Sequence, residues 1–276
     1  MLKPLENIRV VTLAVNVPGP LAAKRWLDLG ATVIKVEPPE GDPLELYCPD
    51  WYQDINAGQQ TVRLNLKTEE GNDELTKLLL SADLLLTAQR PNALKRLGLD
   101  WRVLQVKYPQ LNHLAIVGFP SPNENEAGHD LTYQASFGLL NPPNMPKTLM
   151  ADMAGAERAA LEGLALLMGR KAGRQKMVTL YDAAEYMAQP VKYGLTTDNA
   201  LLGGGQAEYA LYEANDGWLA IAALEPHFSA RLKAELGLEE LNHEALSNKF
   251  KQGSTTDWVD WAKQYDIPLV AVKPKL

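Results

Sequence analysis

The chain has 276 residues, 46% of them hydrophobic and 22% charged, with a formal net charge of −7. That length builds one large domain or two modest ones, and the acidic balance, with no dense basic cluster, excludes a nucleic-acid surface. The single cysteine, Cys48, rules out an internal disulfide or a Cys-rich metal site, and with no signal-peptide core and no membrane-length apolar run it predicts a soluble, cytoplasmic protein with no membrane contact.

The run IRVVTLAV (8–15) predicts a strand, PGP a turn, LAAKRWLDLGA a helix, and TVIKVEPP (32–39) a second strand ended by its prolines. Strand, turn, helix and strand in that order form a βαβ unit, so the sheet is parallel there. The rhythm continues with TVRLNL as strand, KTEEGNDELTKLLLSA as helix, DLLLTA as strand, NALKRLGLDWRVLQVK as helix and HLAIVGF as strand. This is the pattern of an α/β fold with an open, Rossmann-like parallel sheet. The first turn lacks the G-x-G-x-x-G fingerprint, so no nicotinamide cofactor is predicted.

AGHDLTYQ (127–134) leads from a Pro- and Asn-rich loop into a helix, with His129 and Asp130 at the junction. Further on, DMAGAERAALEGLALLMGRKAG predicts a long helix stopping near Gly173, and QKMVTLYDAAEYMAQPVKYGL a strand leading into another helix. LLGGGQAEYALYEANDGWLAIAAL holds a glycine run and two strands joined at Asn215-Asp216-Gly217, a hairpin signal. The rest is mostly helical and ends on PLVAV. Two domains are predicted: a large one over 1–202 and a smaller α+β one over 203–276, with the glycine run as hinge or mobile loop.

Several segments resemble the family III CoA-transferases, the CaiB/BaiF group that includes α-methylacyl-CoA racemase. They are LENIRVVTLAVNVPGPLAAKRWLDLGATVIKVEPPEGDP, LNLKTEEG, ADLLLTAQRPNALKRLGLDW, AGHD, LMADMAGAERAALEGLALLMGRKAG and YEANDGWLAIAALEPHF. They follow the family's own order from residue 5 to about 240. The resemblance implies an acyl-CoA substrate, no metal, coenzyme A present only as part of that substrate, and an intertwined homodimer. It further implies His129, Asp152 and Glu225 as catalytic residues, Glu225 supporting His129, with Arg90 and Lys35 as ligands of the CoA phosphates.

The residues suit that chemistry in their own right. Racemising an acyl-CoA needs an acid/base group on each side of the carbon beside the thioester carbonyl, and donors for the enolate oxygen. Asp152 precedes a helix, where free amides and the dipole favour negative charge and offer such donors. Plainer roles stand beside these: Asp152 and Asp130 as helix caps, Glu225 as a polar helix start before Pro226, Lys35 as a strand-end surface lysine.

Three functional readings follow. GHD, LMAD and ALEP match the racemase pattern, as does VPGP around Val17, and predict proton transfer by His129, with Asp130 capping or orienting it. In the transferases the residue at Asp152 is instead a nucleophile that forms an aspartyl-CoA thioester, and GGGQ (203–206) resembles their active-site glycine loop. The third reading is a weakened CoA-ester-binding or interaction protein. NAGQQT stands where the family has basic N-R-G-K-R-S, GFPSPNENEAG adds acid where the family has G-F-G-Q-T-G-P, and the chain ends early against the family pattern, which predicts a wrapped dimer.

Overall fold

The four central strands of the first sheet form because short β-branched and leucine runs bury both of its faces, as parallel strands require. β1 (Arg9–Thr12), β2 (Thr32–Glu37), β3 (Gln60–Arg63), β4 (Leu84–Thr87), β5 (Asn112–Val117) and β6 (Gln175–Thr179) make one parallel sheet in the order β3-β2-β1-β4-β5-β6. In register, Val10 pairs with Val33 and with Leu84. The computed structural model describes residues 3–169 and 172–273; the chain divides into the units Met1–Ala188 and Gln189–Leu276.

Helices cover the first sheet on two faces. On one, α1 (Pro18–Asp28) and α8 (Met150–Met168) join Val10, Val33, Leu84, Leu86 and Ile116 in a single core. Trp26 of α1 is fully buried and donates its indole N–H to the Ala160 carbonyl of α8 at 3.0 Å. On the other, α4 (Glu69–Leu79), α5 (Pro91–Arg96) and α6 (Trp101–Lys107) cover Val11, Val36 and Leu85. Gly19 in the first turn of α1 serves packing: a Cβ there would stand 2.1 Å from that of Ala14.

Four short helices complete this unit: α2 (Pro43–Tyr47), α3 (Pro49–Asn56), α7 (Asp130–Ser136) and α9 (Leu180–Met187). The first two carry proline at the first helical position, which fits there because no N–H is needed. The helix predicted over 92–107 is two, because Gly98 takes a φ of +68° and Asp100 starts α6 afresh, accepting from the Arg102 N–H at 3.2 Å. Helix α8 ends at Met168 rather than near Gly173: the Gly169 N–H and the Arg174 guanidinium both close on the Leu166 carbonyl.

The second unit opens with α10 (Gln189–Lys192) and the glycine turn Leu201–Gly205. The glycine run therefore lies within this unit. β7 (Tyr209–Glu213), β8 (Trp218–Ala222) and β9 (Leu269–Ala271) form an antiparallel sheet in that order. The hairpin at Asn215-Asp216-Gly217 is closed by the Ala214 N–H donating to the Gly217 carbonyl at 2.8 Å. α11 (Pro226–Leu236), α12 (His243–Phe250) and α13 (Thr255–Gln264) pack on one sheet face around Tyr212, Leu219, Ile221 and Phe250. No helix among the described residues is long and apolar enough to cross a membrane.

Candidate active site

β1 and β4 are neighbours whose connections leave in opposite senses, and such a switch point opens a crevice beyond the carboxyl ends of the strands. A cavity of about 720 Å³ lies there, lined by residues following β1 (Asn16, Val17), β4 (Gln89, Arg90) and β5 (Gly118), and by His129, Asp130 and Asp152. That volume is within the usual range for small-molecule sites.

His129 is the cap residue of α7 and is exposed. Its N–H donates to the Thr132 hydroxyl at 3.1 Å, and that hydroxyl donates to the His129 carbonyl at 2.8 Å. Asp152 is the third residue of α8. Burial first, then the charge of Asp130, push its carboxyl up from 3.8 to about 7. Arg90 caps α5, is exposed, and enters no ion pair among the described residues.

Asp130 does not cap its own helix or orient His129. Its Oδ1 accepts from the N–H groups of Ala151 at 2.7 Å and Asp152 at 3.1 Å, so it caps α8 from across the chain. Leu149, the local cap position, has no side chain able to do so. Gln134 holds the other oxygen of Asp130 and also donates to the Thr148 carbonyl at 3.2 Å. The amides expected to hold an enolate oxygen are therefore already spent on a carboxylate.

Lys35 is not placed to bind phosphate, nor is it a surface lysine. It is fully buried, with Nζ 2.6 Å from Asp42 Oδ2 and 3.0 Å from Glu37 Oε1. An ammonium so enclosed balances those carboxylates and cannot reach a solvent-borne pyrophosphate. Asp42 Oδ1 in turn accepts from Asn16 N–H at 2.9 Å and Leu44 N–H at 3.0 Å. That fixes a cavity wall in which Asn16 takes a φ of +65°. Sequence reasoning passed over Asp42, although Asp before Pro43 carries a helix-start signature.

Glu225 is the exposed cap position of α11 in the second unit, its carbonyl accepting from Phe228 and Ser229. The cavity as described is built without it. No group of three or more His, Cys, Asp or Glu among the described residues is placed to hold a metal.

The model of CoA-transferase family III matches residues 5–273. A cinnamoyl-CoA:phenyllactate CoA-transferase of Clostridium sporogenes is 29% identical over 89% of this chain and 68% of its own length. An α-methylacyl-CoA racemase of Mus musculus is 29% identical over 95% of this chain and 70% of its own. Among solved structures, a hypothetical protein of Mycobacterium tuberculosis superposes with a TM-score of 0.85 at 24% identity, covering 99% of this chain and 85% of its own. A CaiB/BaiF family protein of Brucella suis gives 0.85 at 22%, with the same coverage. These structures establish the fold.

Proposed function

Because the chain belongs to CoA-transferase family III, we propose that it acts on acyl-CoA thioesters by moving the proton on the carbon beside the thioester carbonyl, as a racemase does. The observation that carries this reading is the pairing of His129 with Asp152 in one cavity, the carboxyl being held at about 7. A general acid/base works best with its pKa near the working pH, whereas a carboxylate nucleophile is served by full ionisation. In this reading Asp152 takes the α-proton from one face and His129 returns one to the other.

A second reading keeps the site and changes the bond. The Asp152 carboxylate attacks the carbonyl carbon, forms a mixed anhydride as CoA leaves, and is then converted to an aspartyl-CoA thioester as the acid departs. The transferases among the relatives favour it. Hydroxylamine distinguishes the two, because it captures an activated aspartyl group. Under proton transfer Asp152 stays unlabelled after incubation with acyl-CoA; labelling at Asp152 would give the site to the transferase.

Arg90 is assigned to the CoA pyrophosphate. A charge-assisted hydrogen bond to phosphate is worth about 1.5–3 kcal/mol, so Arg90→Ala is expected to weaken CoA binding roughly ten- to a hundredfold. Titration calorimetry reads this directly, and an unchanged affinity would place the phosphates elsewhere.

We further propose a homodimer. α8 and α9 expose Leu161 (63%), Met168 (81%) and Tyr186 (63%), more apolar surface than isolated helices need to show solvent. Light scattering at micromolar concentration should return twice the chain mass; the monomer mass would reject the assembly.

A further inference from the structure

The cavity holds a hydroxyl that no part of the described chain uses. Tyr133 follows His129 by four residues at the start of α7, and both line the cavity. Its N–H donates to the His129 carbonyl at 3.2 Å. The side chain is 1% exposed, and its ring meets Phe119 edge to face with centroids 5.2 Å apart. Its hydroxyl has no hydrogen-bond partner among the described residues, and its oxygen is not fully sealed from solvent.

The backbone is cleared around this oxygen. A Cβ on Gly118 would stand 2.5 Å from the Tyr133 hydroxyl, and one on Gly128 2.6 Å from it. Both glycines line the cavity, as does Tyr133 itself. Burial and then the charge of Asp152 push the phenol up to about 12, so it remains a donor at neutral pH. The neighbouring amides of Ala151 and Asp152 are held by Asp130.

Resting on the proton-transfer reading above, we propose that Tyr133 is a further catalytic residue, its hydroxyl donating a hydrogen bond to the thioester carbonyl oxygen as that oxygen becomes an enolate. In the step, one base removes the α-proton and the C–H electron pair becomes the C=C bond. The carbonyl π pair moves onto oxygen, where the Tyr133 O–H meets it without giving up its proton. Reprotonation from the opposite face restores the thioester, so no co-reactant is consumed.

Tyr133→Phe keeps the ring and its Phe119 contact while removing the donor. Loss of one such donor typically lowers kcat by about 10²–10³, so α-hydrogen exchange should slow by that factor with KM moving less than about threefold. The melting temperature serves as the control for folding. Replacing Tyr133 with a fluorotyrosine gives a second readout: a more acidic phenol changes kcat in step with donor strength, which a packing role would not. Exchange within threefold of the unmodified chain in Tyr133→Phe, or a rate indifferent to fluorination, overturns the proposal while leaving the proton-transfer reading intact. Absence of exchange in the unmodified chain overturns both.

Discussion

Asp152→Asn is expected to stabilise the folded chain above neutral pH while removing its chemistry. Burial, then repulsion from Asp130, hold the carboxyl at about 7 against an ordinary 3.8. Between those values the folded state keeps a proton that the unfolded chain has released, so the free energy of unfolding falls as pH rises. This contribution is fully present below about pH 4 and is lost as pH climbs through about 7. At roughly 1.4 kcal/mol per pH unit, the gap amounts to something on the order of 4 kcal/mol. Asparagine does not ionise, so the variant should outlast the unmodified chain in urea at about pH 8 by an amount of that order. The difference should shrink toward zero near pH 4. Equal midpoints at both pH values would mean that Asp152 ionises in the fold at no cost, removing the argument for an acid/base poised near neutrality.

His129→Ala is expected to slow inversion of a 2-methylacyl-CoA by about 10²–10⁴, the usual worth of a general acid/base. The effect should be uneven. With Asp152 intact, one enantiomer still presents its α-hydrogen to a competent base and exchanges it with solvent, but no group returns a proton to the other face. The variant should therefore exchange one enantiomer without inverting it. His129 is exposed and its backbone is tied to Thr132, so its ring can be removed with little consequence for the fold. Chiral analysis of each enantiomer after incubation checks this, and unchanged inversion would take His129 out of the reaction.

The parallel sheet was legible because its four central strands are buried on both faces, so Val10, Val33 and Leu84 had to be apolar wherever the alternation of helices placed them. The convergence of His129, Asp152 and Arg90 follows from the same topology: each lies just beyond a strand end or at a helix start, and a switch point gathers such positions. Asp130 was misread because its partners, the Ala151 and Asp152 amides, are distant in sequence and belong to another helix; local capping rules describe only neighbours. Lys35 was misread for a similar reason. A lysine among β-branched residues reads as a strand-end charge, and only the fold brings Asp42 and Glu37 around it. Tyr133 carried no periodic signal, since a core tyrosine and a cavity tyrosine occupy the same helix face.

The most direct test of the central claim is incubation of the unmodified chain with a 2-methylacyl-CoA in heavy water. Proton transfer at the α-carbon predicts one deuterium at that carbon and interconversion of the two enantiomers, with Asp152 unmodified by hydroxylamine. An α-carbon that stays fully protonated and retains its configuration, while Asp152 becomes labelled, would contradict the account.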